Sequence, residues 1–202
     1  MDILKYSRNN QNSQPNTVSI RPLAKKDIHN VIRWMTSSYV LQHSFVVLSP
    51  KIIPHDFATS QYAKRYFNLL REDARRKTFV INYKTWPIGT VGLKDIDAIK
   101  QRAECFIEIG DAAYRGRGIG NLAMRQILDI AFKKLCLHQI DLDVLEFNAP
   151  AIKTYHRLGF KSQPSTSWHY DEFGQYWKVM RMSLIEEHYQ KPSHNLLESL
   201  IL

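Results

Sequence analysis

The sequence predicts an α+β fold in which helices flank a mixed, mostly antiparallel central sheet. An alternating apolar and polar run at 17–23 predicts a first strand that leads into helices. Three strand-like runs then follow one another across turns, which is typical of antiparallel strands. The later part of the chain alternates strand and helix patterns, so the sheet is expected to be mixed.

The individual elements follow from the spacing of apolar residues. After the first strand, apolar residues recur at helical spacing, and Asp27 is placed to cap a short helix that carries Val31 and Met35. Further helices are predicted at 56–75, 118–135 and 150–158. Further strands are predicted at 78–83, 88–95, 102–110, 139–145, 160–163 and 176–185. A polar, aromatic loop is predicted at 164–175.

One domain at 17–186 accounts for these elements. Residues 1–16 are polar and rich in Asn and Gln, and they predict a flexible leader. Residues 187–202 form a C-terminal tail whose apolar end suits a short amphipathic helix. A chain of 202 residues fits one domain with a sizeable core.

Composition limits the function classes. Lys and Arg total 28 against 19 acidic residues, and the formal net charge of +9 favours an anionic partner. Nucleic acid is not expected, because no zinc-ligand spacing, aromatic RNA-binding signature or clear helix-turn-helix is present. No segment has the ~20 apolar residues that span a bilayer, and residues 1–16 have no apolar run of secretory-signal length. We expect a cytoplasmic monomer or homodimer without a metal site, with Cys105 and Cys136 as buried free thiols.

The Arg-Gly-Arg-Gly-Ile-Gly loop at 115–120 lies between a strand and a helix and is suited to bind an anion. Glycines let the backbone approach a ligand, and the first N–H groups of a helix lack intrahelical partners. The glycine spacing is G-x-G-x-G, unlike the G-x-G-x-x-G of dinucleotide-binding proteins, and no Gly-Lys-Ser/Thr follows. Neither nucleotide motif is present, and a structural turn with two solvated arginines remains the alternative at this point.

Two motifs together point to a family. The pattern Arg115-x-x-Gly118-x-Gly120 resembles the acetyl-CoA pyrophosphate loop of the GNAT superfamily of N-acetyltransferases. The pattern Asn-x-x-Ala-x-x-x-Tyr-x-x-x-Gly-Phe at 148–160 is similar to the second signature of that superfamily. The resemblance spans 88–160 and implies the GNAT fold. It also implies acetyl-CoA as co-substrate and direct transfer of an acetyl group to a primary amine within a ternary complex, without a metal.

The resemblance further implies roles for particular residues. In the superfamily the strand before the loop splays from its neighbour, and the pantetheine arm of the cofactor lies in the gap. The loop amides cradle the pyrophosphate, and a tyrosine on the later helix, here Tyr155, protonates the departing CoA thiolate. The residues that would contact the cofactor are Ile107, Glu108, Ile109, Arg115, Gly116, Arg117, Gly118, Ile119, Gly120, Asn148, Ala151 and Tyr155.

Tyr155 and Glu108 are the predicted catalytic residues. A phenol within hydrogen-bond reach can stabilise or protonate a thiolate, although a plain core tyrosine is the alternative. Glu108 lies on the face of its strand opposite Ile107 and Ile109, where a carboxylate can accept the proton of the amine through water. Glu108 pairing with a basic residue on a neighbouring strand is the alternative, and solvent can also deprotonate the amine.

The amine acceptor stays open at this stage. The chain resembles two branches of the superfamily, one that acetylates protein N-termini and one that acetylates small polyamines or aminoglycosides. A positive chain favours a protein N-terminus, because polycations usually require an acidic pocket. A non-catalytic acyl-CoA-binding sensor is a further alternative.

Other segments are predicted to be solvated surface or part of the acceptor pocket. Asp141 and Asp143 alternate with apolar residues and predict a solvated strand face. The charged run at 71–77 predicts a solvated helix end that could also help to attract CoA or an acidic substrate. By family likeness, residues 34–58 and 164–175 would build the acceptor pocket.

Overall fold

The computed structural model describes residues 18–35, 37, 39–40, 61–170 and 176–189. The predicted leader at 1–16 lies outside the described residues, as do 190–202 of the predicted tail. The same holds for 41–60, most of the first segment expected to build the acceptor pocket.

The described residues form seven strands and four α-helices. The strands are β1 (Val18–Pro22), β2 (Lys77–Tyr83), β3 (Trp86–Asp97), β4 (Arg102–Ile109), β5 (Gln139–Leu145), β6 (Lys161–Tyr170) and β7 (Tyr176–Ile185). The helices are α1 (Ile28–Met35), α2 (Gln61–Glu72), α3 (Ile119–Asp129) and α4 (Ala149–Arg157).

All seven strands belong to one sheet with the order β1-β2-β3-β4-β5-β7-β6. Neighbouring strands are antiparallel except β4 and β5, which are parallel because α3 carries the chain back between them. The predicted α+β fold with a mixed, mostly antiparallel sheet is therefore confirmed.

The two faces of the sheet are covered by different helices. On one face α3 and α4 pack over the centre of the sheet and bury the larger core, to which α3 contributes Met124, Ile127 and Leu128. On the other face α1 and α2 form a smaller core over β2, built around Trp34 and Val80. Side chains alternate between these two environments along β4, since successive strand residues point to opposite faces.

Two predicted element bounds and one predicted burial differ from the structure. The helix expected to run to residue 135 is α-helical only to Asp129 and continues as a π-helical turn over Ile130–Lys134. The loop expected at 164–175 is in large part strand, because Thr166 to Tyr170 of β6 pair with β7. Cys136 was expected to be buried and is exposed, whereas Cys105 is buried.

Asp27 does not cap α1 as predicted. It ends a 3-10 turn, Lys25–Asp27, and its carboxylate accepts a hydrogen bond from the Ala24 N–H at 2.9 Å. Both oxygens also accept 2.7 Å hydrogen bonds from Arg21. Burial acts to raise the pKa of Asp27, but these hydrogen bonds hold it below its usual value.

The predicted solvated face at Asp141 and Asp143 is wrong for Asp141. Its side chain is only 2% exposed and accepts hydrogen bonds from Arg102 at 2.5 Å, Ser183 at 2.6 Å and Gln139 at 2.7 Å. Asp143 keeps partial exposure and accepts hydrogen bonds from Arg181. The alternation of apolar and polar residues along β5 was predicted correctly. On the polar face, however, Asp141 is covered by Arg102 and Ser183 from the neighbouring strands.

Candidate active site

The central feature of the site is a split between β4 and β5. The two strands pair only at their first residues, and the last pair in the ladder is Glu104 with Asp141. Beyond that pair β4 continues to Ile109 and β5 to Leu145 without pairing to each other. Residues 105–109 therefore present an edge of backbone polar groups, called here the open edge, which requires hydrogen-bond partners from outside the sheet.

A cavity of about 930 Å³ lies at this split. Residues from β3, β4, α1, α3, α4 and the glycine-rich loop line it, so its walls come from both faces of the sheet. The lining includes every predicted cofactor-binding residue except Ile119, whose side chain is 3% exposed and belongs to the main core. The structure thus brings the two sequence motifs, 37 residues apart at Gly118 and Tyr155, to one cavity.

The glycine-rich loop enters α3 through two left-handed residues. Gly116 has φ +71° and Gly118, the N-cap of α3, has φ +76°, where any side chain would strain the backbone. A Cβ on Gly118 would otherwise meet nothing within 4 Å. Because the cap has no side chain, the first amides of α3 face the cavity without a capping partner, which suits a phosphate group.

Arg115 holds the loop against β4 instead of pointing freely into the cavity. Its Nε donates to the Ile109 carbonyl at 2.8 Å and its Nη2 to the Gly110 carbonyl at 3.1 Å. The guanidinium also lies 3.6 Å from the centre of the Tyr39 ring. The carbonyl of Ile109 is consequently engaged, and Arg115 acts on the cavity mainly through the position of the loop.

Tyr155 projects from α4 into the cavity beside the main core. Its ring packs edge-on against Phe160 at 6.0 Å between centroids. Burial, reinforced by the nearby Cys105 thiol, raises the pKa of Tyr155 above its usual value, so the phenol keeps its proton at neutral pH. Among the described residues no hydrogen bond to its hydroxyl is present, which leaves that O–H available to a bound group.

Asn148 is the N-cap of α4 and lines the same cavity. Its side-chain oxygen accepts a hydrogen bond from the Ala151 N–H at 3.3 Å. The amide NH2 of the side chain is left as a donor on the cavity wall. The Asn in the second motif therefore orients the helix that carries Tyr155, whatever contact it makes with a ligand.

Glu108 lies on the wall of the cavity formed by the other face of β4. Its cross-strand partner is Thr90, and within the described residues its carboxylate makes no ion pair. Burial raises the pKa of Glu108 to about 7, although Arg115 acts in the opposite direction. A carboxyl group with that pKa can accept and release a proton near neutral pH.

Glu104 lies on the same face of β4 as Glu108, but it forms ion pairs with neighbouring cations. Lys94 contacts it directly, and Arg181 lies 3.9 Å from its second oxygen. Arg181 also lies 3.6 Å from Asp141, so the cluster ends on the last residue pair of the β4–β5 ladder. These contacts leave Glu108 as the unpaired carboxylate on this wall of the cavity, among the described residues.

Several lining residues were not singled out from the sequence. Trp34 and Arg76 reach the cavity from α1 and from the residue before β2, and Phe106 lies between Glu104 and Glu108 on β4. The only sequence signal for Arg76 was its place in the charged run at 71–77, which favoured a solvated helix end.

The described part of the chain contains no group of three His, Cys, Asp or Glu side chains that could hold a metal ion. Within the same residues, no helix is both long enough and apolar enough to cross a membrane.

The model of the Acetyltransferase (GNAT) family matches residues 39–160 of this chain, which is more than half of its length. The chain therefore belongs to the GNAT family, and it is an N-acetyltransferase that depends on acetyl-CoA. The family predicted from the loop at 115–120 and the motif at 148–160 is confirmed.

The chain is also similar in sequence or structure to several known acetyltransferases. A spermidine N(1)-acetyltransferase of Escherichia coli strain K12 is 26% identical over 186 residues, which cover 90% of this chain and 95% of the relative. A streptothricin acetyltransferase of Streptomyces lavendulae is 36% identical over 90 residues, or 44% of this chain and 47% of the relative. The crystal structure of a Vibrio cholerae spermidine N-acetyltransferase in complex with CoA and spermine superposes on this chain with a TM-score of 0.70. The match covers 85% of this chain and 97% of the Vibrio cholerae chain. At 23% identity, that structure shows the fold.

Proposed function

We propose that the protein transfers the acetyl group of acetyl-CoA to the primary amine of a small molecule, by direct attack within a ternary complex. The observation that carries this proposal is the single cavity at the split, which holds a glycine-rich helix N-terminus, a protonated Tyr155 and an unpaired Glu108. The small-molecule acceptor is favoured because the relatives matched along most of their length are spermidine acetyltransferases. The protein N-terminus, our first expectation, has no such support.

The described residues fit acetyl-CoA, which supplies the acetyl group as a thioester. The amides at the start of α3 would hold the pyrophosphate, with Arg117 adding positive charge at the mouth of the cavity. The open edge would hydrogen-bond the pantetheine arm, since a second strand-like group can complete a sheet at an unpaired edge. The Asn148 amide is placed to donate to the same arm.

The chemistry then divides between two side chains. Glu108 would accept the proton that the amine loses, either directly or through a water molecule. Tyr155 would donate its proton to the thiolate as the carbon–sulfur bond breaks and the amide forms. Each proton transfer thus involves one side chain whose pKa is raised by burial at this cavity.

An acceptor screen read as CoA release tests this function. Spermidine, an aminoglycoside, simple amino acids and N-terminal peptides would be compared at equal concentration with acetyl-CoA in excess. We expect turnover with small amines and little with peptides. Turnover restricted to peptides would overturn the small-molecule acceptor, and tight acetyl-CoA binding without turnover on any amine would favour the sensor.

A further inference from the structure

We propose that the acceptor carries a carboxylate or phosphate as well as its reacting amine, and that Arg76 binds this anionic group. The proposal rests on the proposed function and adds the class of substrate. It comes from two residues of opposite charge among the described residues that line the cavity, Arg76 and Glu108, neither of which makes an ion pair there.

Arg76 reaches the cavity with unused hydrogen-bonding capacity. Its Nε is buried and has no hydrogen-bond partner, and no ion pair engages its guanidinium among the described residues. The contact that does hold it is the ring of Phe106, 5.4 Å from the guanidinium carbon. Arg76 therefore lines the cavity with a guanidinium that no carboxylate of the described residues neutralises, and such a group can bind an anion supplied by a ligand.

A second buried donor lies near Gly110, elsewhere in the cavity lining. The indole N–H of Trp34 is buried without a partner, and Trp34 lines the cavity from α1. Its ring is held in place by Gly110, where a Cβ would lie 2.0 Å from the ring carbon Cγ. Because Gly110 and Phe106 lie on either side of Glu108 along this part of the chain, Trp34 is separate from Arg76. The guanidinium of Arg76 alone suits the oxygens of a carboxylate or phosphate better than it suits an ammonium group.

Position along β4 relates Arg76 to the reacting end of the cavity. Phe106 and Glu108 share one face of the strand two residues apart, which corresponds to roughly 7 Å. Because Arg76 stacks on Phe106, its guanidinium lies on the order of 10 Å from the Glu108 carboxyl. A small molecule with an amine at one end and an anionic group several bonds away spans this separation.

The pairing of the other charges argues against a polycation. Lys94 and Arg181 engage Glu104, and Arg181 engages Asp143 as well. Of the acidic groups that line the described cavity, only Glu108 is left for an ammonium group. A polyamine would place its second charge against the unpaired Arg76, whereas an amine with a carboxylate or phosphate meets one opposite charge at each end.

Matched acceptor pairs test the proposal. Lysine and cadaverine differ by one carboxylate, and glucosamine 6-phosphate and glucosamine differ by one phosphate. We expect kcat/KM for the anionic member of at least one pair to exceed that of its partner by about tenfold to a hundredfold, as for a charged hydrogen bond. The pair that shows the preference tells a carboxylate from a phosphate.

Variants at Arg76 tie the preference to that residue. Arg76→Gln should reduce the ratio within the preferred pair to below about threefold, and Arg76→Lys should keep part of it. Lys133→Gln serves as the matched control, since Lys133 pairs with Asp129 on the far side of α3 and does not line the cavity. Unchanged acetyl-CoA affinity in Arg76→Gln verifies that the variant is folded.

The outcomes are distinguishable. If cadaverine and glucosamine equal or exceed their anionic partners with the wild-type protein, the inference is overturned while the N-acetyltransferase function stands. A preference that survives in both Arg76 variants likewise overturns the assignment to Arg76. If no amine in the whole panel is acetylated, the proposed function itself fails.

Discussion

Removing the charge of Glu108 should stabilise the free protein at alkaline pH. Glu108→Gln keeps the size of the side chain and replaces an ionisable group by a neutral one. Burial raises the pKa of Glu108 from 4.5 to about 7, so ionising this carboxyl group is harder in the folded state than in water. The wild-type protein therefore carries a destabilising charge whenever Glu108 is ionised.

The magnitude follows from that pKa. Each tenfold change in proton affinity corresponds to about 1.4 kcal/mol, so the full effect is about 3 kcal/mol. Water that enters the open side of the cavity screens part of this, and we expect about 2 kcal/mol. For a chain of this length, that is a rise of roughly 4–8 °C in Tm.

The sign of the pH dependence is fixed by which state ionises first. Below pH 4.5 Glu108 is protonated in both states, and Glu108→Gln should match the wild type. Between pH 4.5 and about 7 the unfolded chain loses the proton first, so the wild-type protein loses stability relative to the variant as pH rises. Above about pH 7 the advantage of the variant should be complete.

Urea unfolding of both proteins at pH 5 and pH 8 measures this difference. Glu187→Gln, which changes an exposed glutamate in the last 3-10 turn, controls for general charge effects. An advantage of Glu108→Gln that is equal at the two pH values, or absent at pH 8, would refute the reasoning. In activity assays the same variant should lose the rise of kcat/KM with pH near 7, if Glu108 accepts the proton of the amine.

Three further predictions test other parts of the site. Tyr155→Phe should lower kcat by about a hundredfold or more with an unchanged KM for acetyl-CoA; equal turnover would return Tyr155 to a packing role. Gly118→Ala should cost about 1 kcal/mol and weaken acetyl-CoA binding in calorimetry, because Gly118 has φ +76°. Gly120→Ala is its control for stability, since a Cβ there meets Ile107 at an ordinary 3.7 Å, and equal losses of stability in the two variants would exclude backbone strain. Asp141→Ala should lower the free energy of unfolding by about 3–5 kcal/mol in urea titrations, and a loss below 1 kcal/mol would show that its ion cluster contributes little.

Local patterns in the sequence were sufficient for the elements that carry the site. Alternation along β4 placed Ile107 and Glu108 on opposite faces, and the glycine spacing at 115–120 predicted a helix N-terminus open to an anion. Both are properties of a few consecutive residues, so they do not depend on the rest of the fold. The family motif then related this segment to Tyr155.

Contacts between distant segments could not be predicted in this way. The carboxylate of Asp141 is buried by Arg102 and Ser183, which are 39 and 42 residues away in the chain. Arg76 belongs to a charged run that is typical of a solvated helix end. Its contact with Phe106 of β4, a residue 30 positions away in the chain, directs it to the cavity. Periodicity shows which residues share a face, but what covers that face depends on the whole sheet.

Arginine side chains make hydrogen bonds near both ends of the open edge of β4. At one end Arg102 of β4 binds Asp141 of β5, which fastens the strands together at the last pair of their ladder. At the other end Arg115 donates hydrogen bonds to the carbonyls of Ile109 and Gly110, which ties the end of β4 to the glycine-rich loop. Between these two arginines residues 105–109 of β4 do not pair with β5, so their unpaired backbone groups are left for a ligand. The two arginines thus contact β4 on either side of the unpaired stretch that lines the cavity together with the glycine-rich loop, Tyr155 and Glu108.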